Sequence, residues 1–472
     1  MLHDAQETLR KRFQAQKSAY EAEPFPDQAV RRDRLKRLLA ITEKHEAEFC
    51  AAIDADFGGR SAYETRIAEL MVVRIGIRHA LRHLATWMRP RRIATSLPFL
   101  PGRNMLLRQP LGVVGIVSPW NYPFQLAVAP ATEALAAGNR VLIKPSELTP
   151  AFSRLLASLL AQYFDPGEAS VIEGDAEVGK AFVSLPFDHL VFTGSTAVGR
   201  KVAEAASKNL TPVTLELGGK SPAIFDASVD LDAAAASVAH AKLLNAGQTC
   251  IAPDYLMVPT GMAGIAAEKL SATMKSLYPT LRDNPDYTAI VSDRHYQRLQ
   301  SLVAEVRDGG ARVIEVMPSD GATANTRKFP PTLVVGADAD SRLMSEEIFG
   351  PVLPIVEYAD PGEAIAYVNA RERPLAFYWF GRDRAIRGRM LRETIAGGVT
   401  INDCLLHLAQ ERQPFGGVGA SGMGAYHGEW GFRTFSKEKP VFIQSRLNSG
   451  ALIRPPYGKR IEAVMRFLKL IT

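Results

Sequence analysis

The sequence predicts an α/β fold organised on a doubly wound parallel sheet, and three observations carry that prediction. First, four short runs apolar on both faces, residues 111–117, 140–144, 170–173 and 189–193, read as strands of a sheet covered on both sides. Helix-like segments rich in Ala and Leu separate the first three, and residues 176–183 form another before the fourth. Second, the last run leads into Phe192-Thr193-Gly194-Ser195-Thr196-Ala197-Val198-Gly199, which sets glycines at a strand-to-helix turn. Free amides there face the positive end of a helix, where a doubly wound sheet binds nucleotide phosphates. Third, 472 residues are too many for one simple core, and 47% hydrophobic with 22% charged residues is ordinary for a globular chain of several domains.

Taken in order, the chain is helical from its start to about Arg92, with one break at Phe57-Gly58-Gly59-Arg60. The basic run Arg31-Arg32-Asp33-Arg34-Leu35-Lys36-Arg37 reads as the solvated face of a helix whose inner face is Leu35, Leu38 and Leu39. Tyr63 and Glu64 open another helix before Ile67, Leu70 and Met71, with the aromatic either core or substrate wall. Leu97-Pro98-Phe99-Leu100-Pro101-Gly102-Arg103 interrupts the helices, so residues 93–109 are an extended excursion suited to an interface. Strands and helices resume beyond residue 250 as a second α/β domain, including a strand near 396–402. Residues 413–424 are too glycine-rich for a helix and too apolar for a free linker, which predicts a packed loop beside the site. The tail, residues 459–472, is basic and amphipathic but too short and charged to span a bilayer; packing on a partner subunit is favoured over membrane contact.

Bulk properties narrow the function. Lys and Arg number 56 against 50 Asp and Glu, a formal charge of +6. Such an excess spread over a large surface makes a weak field and predicts no nucleic-acid partner. Cys50, Cys250 and Cys404 cannot all pair, and neither a disulfide framework nor a metal-ligand cluster is visible, so no metal is expected. Without a signal-like start or a transmembrane run, the expected location is cytoplasmic.

Two octets carry the chemistry. Leu215-Glu216-Leu217-Gly218-Gly219-Lys220-Ser221-Pro222 holds one carboxylate among glycines, and Leu243-Leu244-Asn245-Ala246-Gly247-Gln248-Thr249-Cys250 ends on a thiol. A thiolate attacks carbonyl carbon, and a glutamate held partly out of water acquires the pKa of a general base. Alone, such a cysteine is a small buried hydrophobe and such a glutamate a loop end; together they suggest covalent catalysis. The Gly194–Gly199 turn narrowly misses a P-loop, because Arg200-Lys201 follows where Lys-Ser or Lys-Thr would be needed. A phosphotransferase and an ordinary turn are its rival readings.

The two octets, with Pro119-Trp120-Asn121-Tyr122-Pro123, Lys144-Pro145-Ser146-Glu147 and Glu346-Glu347-Ile348-Phe349-Gly350-Pro351, resemble the signatures of the aldehyde dehydrogenase superfamily over nearly the whole chain. Asn402-Asp403, His407 and residues 421–428 are similar to its class 3 branch, and residues 97–103, 252–255 and 294–296 to coniferyl aldehyde dehydrogenases. The resemblance implies a cofactor domain (1–92 and 111–216), a catalytic domain (217–412), oligomerisation or bridging segments (93–110 and 413–445) and a tail (446–472). It implies Cys250 as nucleophile, Asn121 as oxyanion donor and Glu216 as the base that activates water. It assigns the cofactor to Ser118, Trp120, Lys144, Glu147, Gly194, Ser195, Gly218, Glu347 and Phe349. A carboxylate at Glu147 favours NAD, with NADP as the alternative because class 3 relatives often use both. A homodimer follows from relatives alone. His407, Tyr426 and His427 are candidate substrate contacts that could equally be packed residues. The aldehyde itself, aromatic or medium-chain aliphatic, is not specified, and a coenzyme A-acylating enzyme or a non-catalytic protein of this fold are the alternatives.

Overall fold

The computed structural model describes residues 2–317, 326–447, 450 and 453–471; of the tail, residues 448–449, 451–452 and 472 lie outside it. The chain is helical from Leu2 to Met88, as its periodicity predicts. Helices Leu2–Ala22, Gln28–Lys44, Glu46–Phe57 and Val72–Met88 pack around the first sheet. Asp27 caps the second by accepting from the Val30 amide at 2.9 Å. The third stops at Gly58, whose φ of +68° suits the left-handed C-terminal turn that glycine adopts without strain.

Two readings of this region need correction. Arg31 and Arg34 are not solvated: each is 1% exposed. Arg31 donates from Nη1 to the Ala137 carbonyl at 2.7 Å and from Nε to the Pro26 carbonyl at 2.9 Å. It thereby satisfies the carbonyls that close helix Pro123–Ala137, where the dipole attracts a cation. Burial pushes its guanidinium down to about 10. Arg34 pairs with Glu168 at 2.9 Å. Charge count alone cannot distinguish a solvated arginine from one that caps a neighbouring helix. Tyr63 is neither core nor buried wall, being 64% exposed. The chain winds there into a π-helix, Thr65–Met71, which shifts the inward face to Glu64, Leu70 and Glu69.

The four predicted strands form at Val113–Val117, Arg140–Lys144, Ala169–Val171 and His189–Gly194, joined by Val213–Leu217. They make a parallel sheet, with Val113–Val117 lying between Arg140–Lys144 and His189–Gly194. Strand order therefore reverses beside Val113–Val117, and the crevice at that switch point opens at the carboxyl ends. The predicted packed loop returns to this sheet: Gly422–Met423 pairs antiparallel with Glu216 and Leu215. Gly422 has a φ of +151°, and a Cβ there would collide with the Leu215 carbonyl, so only glycine allows that edge to close against the glutamate strand.

A second, seven-stranded sheet contains Pro222–Phe225, Tyr255–Pro259, Val352–Tyr358, Ala376–Phe380 and Gly398–Ile401, all parallel, with Arg312–Glu315 as an antiparallel edge. Its largest buried side chains include Trp379, Tyr255 and Tyr378. The extended excursion becomes strands Arg91–Ile93 and Arg103–Pro110; the second is the centre of a separate three-stranded sheet, with Arg91–Ile93 on one side and Ser436–Ile443 on the other. The tail forms helix Lys459–Ile471. Among the described residues no helix is long and apolar enough to cross a membrane.

Candidate active site

Between the two large sheets lies a cavity of about 900 Å³. Nine of the twelve residues singled out from sequence line it: Trp120, Asn121, Gly194, Ser195, Glu216, Gly218, Cys250, Glu347 and Phe349. Ser118, Lys144 and Glu147 do not. Ser118 follows strand Val113–Val117, and its Oγ is buried without a hydrogen-bond partner. Lys144 closes strand Arg140–Lys144; its Nζ donates to the Pro145 carbonyl at 2.8 Å and sits 3.8 Å from Glu147 Oε2.

The cysteine is presented by an unusual turn. Helix Leu231–Leu243 ends, and Asn245, Ala246 and Gly247 take successive φ values of +52°, +50° and +72°. Such a run strains the non-glycine residues and persists only where surroundings over-determine it. Those surroundings are specific. The Asn245 amide donates to Glu64 Oε1 at 3.0 Å, and Asn245 Nδ2 donates to the carbonyls of Asn121 and Gln248. Gln248 Nε2 donates to the Ala289 carbonyl at 3.1 Å, while its Oε1 accepts from the Val291 amide at 3.0 Å. The Tyr122 hydroxyl bonds Thr249 Oγ1 at 2.7 Å. Glycine is required at 247, because a Cβ there would collide with the Gly350 carbonyl. Gly247→Ala is therefore expected to destabilise the protein by about 2–4 kcal/mol through overpacking and positive-φ strain. Urea unfolding checks this; an unchanged midpoint would contradict it.

Glu216 lies in strand Val213–Leu217, is 3% exposed, and neither of its carboxylate oxygens has a hydrogen-bond partner. Asn121 donates from Nδ2 to the Gln248 carbonyl at 3.1 Å, leaving the second amide hydrogen free. On the nucleotide side, Ser195 caps helix Thr196–Ser207 by accepting from the Val198 amide at 3.4 Å. A Cβ at Gly194 would lie 2.6 Å from the Phe192 ring, so a bare backbone faces the cavity. Glu347 accepts from the Gly219 amide at 3.1 Å and lies so close over Gly218 that no larger residue fits beneath it. Its loop is held by Arg298, which donates to the Glu347 and Ile348 carbonyls, and by Lys220, which pairs with Asp254 and donates to the Glu346 carbonyl. The Phe349 and His295 rings lie 5.4 and 5.1 Å from Trp120.

The aldehyde dehydrogenase family profile matches residues 3–441. The chain belongs to the aldehyde dehydrogenase family. It is similar to a probable coniferyl aldehyde dehydrogenase of Pseudomonas aeruginosa, 49% identical, covering 96% of this chain and 94% of that one. It is also similar to the coniferyl aldehyde dehydrogenase of a Pseudomonas species, 44% identical, covering 93% and 92%. A solved structure titled as the substrate-bound state of an AldH from Staphylococcus aureus superposes with a TM-score of 0.92 at 38% identity, covering 97% and 99% of the two chains.

As an aldehyde dehydrogenase the protein oxidises an aldehyde to a carboxylic acid with NAD or NADP. The cavity fits that cofactor: bare backbone at Gly194 and the N-terminus of helix Thr196–Ser207 line it, a surface whose amides suit a pyrophosphate. Burial favours the neutral forms of the titratable groups around the cavity. Burial, then the nearby Glu347 and Glu216 charges, push the Cys250 thiol up to about 12, while its own amide and that of Ile251 pull it down. Burial holds Glu216 well above the ordinary carboxylate range and, with Asp254, brings Glu347 to about 7. The remaining sequence candidates pack together: the His407 and His427 rings stack on Phe415 at 6.1 and 5.3 Å, and Tyr426 meets His427 edge-on at 4.8 Å. His407 Nδ1 bonds Thr400 Oγ1 at 2.9 Å, while its Nε2 is buried without a partner. Sequence reasoning missed Gln248, Asn245 and Glu64 as braces; the polar run just before Cys250 is the one signal that could have pointed to the first two.

Proposed function

We propose that Cys250, Glu216 and Asn121 carry the reaction on an aromatic aldehyde of the coniferyl type. The observation that supports this best is the meeting, in one cavity, of a thiol, an unpartnered buried carboxylate and an asparagine with a spare amide hydrogen. Hydride leaves a tetrahedral alkoxide readily and a planar carbonyl poorly, so the carbon must first be attacked. Cys250 Sγ releases its proton to solvent in the cavity and bonds to the carbonyl carbon, whose π pair passes to the oxygen, giving a thiohemiacetal. The charge gathering on oxygen is met by the Asn121 side-chain amide and the Cys250 backbone amide. NAD or NADP, when bound, accepts the hydride. The thioester left on Cys250 then needs water, and Glu216 takes the proton from that water, so acid is released and the thiol restored. A coenzyme A-acylating enzyme has no need of that base, which favours hydrolysis.

On the cofactor side we assign Gly194, Ser195 and Ser118 to the pyrophosphate end, Lys144 and Glu147 to the adenosine ribose, and Glu347, Phe349, Gly218 and Trp120 to the nicotinamide ribose and its surroundings. The division into cofactor, catalytic and bridging domains, a homodimer using the three-stranded sheet, with exposed Phe442 on it and exposed Leu97 and Phe99 in the turn joining its first two strands, and a cytoplasmic location belong to the same reading.

The substrate assignment is tested by initial rates of NADH and NADPH formation with cinnamyl-type, benzaldehyde-type and medium-chain aldehydes, with and without coenzyme A. Expected is a kcat/KM for the cinnamyl-type aldehyde about 10-fold or more above the aliphatic ones, the scale of discrimination that pocket shape provides. Free acid should form without coenzyme A. Comparable rates across the panel would defeat the aromatic assignment, and a requirement for coenzyme A would defeat hydrolysis.

A further inference from the structure

A buried charge cluster beside the site is one that the mechanism above does not use. Arg60 and Glu69 are fully buried and lie 3.2 Å apart, and Glu64 is buried on the same side. The π-helix brings the two glutamates together. Five residues along an α-helix leave side chains about 140° apart, whereas the i→i+5 bonding of Thr65–Met71 turns Glu64 and Glu69 toward one face. Each carboxylate then holds a different part of the active site. Glu69 Oε2 accepts from the Phe124 and Gln125 amides at 2.7 and 3.2 Å, fixing the helix that begins just after Asn121. Glu64 holds the Asn245 amide and Thr288 Oγ1 at 3.0 and 2.6 Å, fixing the cysteine turn. Between them, Arg60 donates from Nη1 to the backbone carbonyl of Asn121 at 2.8 Å, and Asn245 Nδ2 donates to that same carbonyl at 3.0 Å. The guanidinium is itself held 4.8 Å from the Phe57 ring centroid and 5.0 Å from that of Tyr122.

We propose that Arg60 is a positioning residue for the oxyanion site: it fixes the main chain of Asn121, so that the side-chain amide of Asn121 meets the oxygen of the attacked carbonyl. The inference rests on the reading of Asn121 as oxyanion donor. A charged donor on a carbonyl makes a shorter and stiffer bond than a neutral one, and here it is enclosed in rings that bar water from replacing it. Burial raises the pKa of both glutamates and the Arg60 charge lowers it, so the cluster is an electrostatic unit rather than a set of separate braces. Lysine at this position keeps the charge but loses the planar fork that reaches Asn121 and Glu69 at once.

The test is the rate of the first turnover, read as the NADH burst when enzyme loaded with NAD is mixed with aldehyde, in Arg60→Lys, Asn121→Ala and the double variant. NAD affinity and the aldehyde KM are measured beside it. Expected is a burst slowed about 10–100-fold by Arg60→Lys, the scale of a sub-ångström to one-ångström misplacement. NAD affinity and KM should be nearly unchanged, and the double variant no slower than Asn121→Ala alone, because the two residues act through one contact. A wild-type burst in Arg60→Lys, or an equal slowing in the Asn121→Ala background, would overturn the positioning role. If Arg60→Lys does not fold, Arg60→Met with Glu69→Gln removes the buried pair in a charge-balanced way and is judged by the same criteria. A wild-type burst in Asn121→Ala would instead overturn the oxyanion reading itself.

Discussion

Cys250→Ala is expected to abolish aldehyde oxidation, lowering kcat/KM by about 10⁴–10⁶-fold, the range seen when a covalent nucleophile is removed. Without the sulfur no tetrahedral alkoxide forms, and the carbonyl retains its hydride. The residue ends a turn whose shape comes from Asn245, Gly247 and Gln248, not from the thiol, so the substitution should leave unfolding midpoint and NAD affinity unchanged. Rates of NADH formation with titration of NAD into the variant check both halves. A variant keeping more than about 1% of activity would mean that another group attacks the carbonyl. The same geometry bears on pH. A thiol pushed up to about 12 is almost wholly protonated in the free enzyme near neutrality, so its alkylation by iodoacetamide should climb with pH throughout the stable range.

Glu216→Gln is expected to separate the two halves of the reaction. The amide keeps the shape of the side chain but takes no proton from water. One equivalent of NADH should therefore appear at close to the wild-type rate, after which turnover falls by about 10²–10⁴-fold as thioester accumulates. Burial raises the pKa of Glu216, so its basic form exists only above that raised value. Wild-type deacylation should rise with pH through this titration, and the variant should lack that limb. Rapid mixing followed by mass measurement of the acyl-enzyme checks the result. Unaltered steady-state turnover, or a burst slowed as much as turnover, would remove Glu216 from deacylation.

Some of this was legible from local pattern alone. The runs at 111–117, 140–144, 170–173 and 189–193 became parallel strands because residues apolar on both faces have no stable place except a sheet covered twice. The glycine-bearing turn after the last became the capped terminus of helix Thr196–Ser207, since Ser195 is a good N-cap and glycine keeps the backbone bare. The loop at 413–424 packed beside Glu216, as its apolar content required. Other features were not legible. Arg31 and Arg34 carry the pattern of a solvated helix face, and only the arrival of helix Pro123–Ala137 and of Glu168 from far along the chain gives them buried partners. Glu64 and Glu69 turn inward because the helix there is π rather than α, a register that no residue spacing announces.

The local pattern thus carried the candidate reacting groups and their neighbourhood: a carboxylate two residues before a glycine and a thiol three residues after one, with the strands that flank them. The tertiary structure alone decided what those groups are like. It enclosed Glu216 without a hydrogen-bond donor, raised the Cys250 thiol, and brought Arg60 and Asn245 together on the Asn121 carbonyl, with Glu64 holding the Asn245 amide. The physical reason is that chemical identity is local to a residue, whereas desolvation and hydrogen-bond supply depend on groups that only folding brings within a few ångströms.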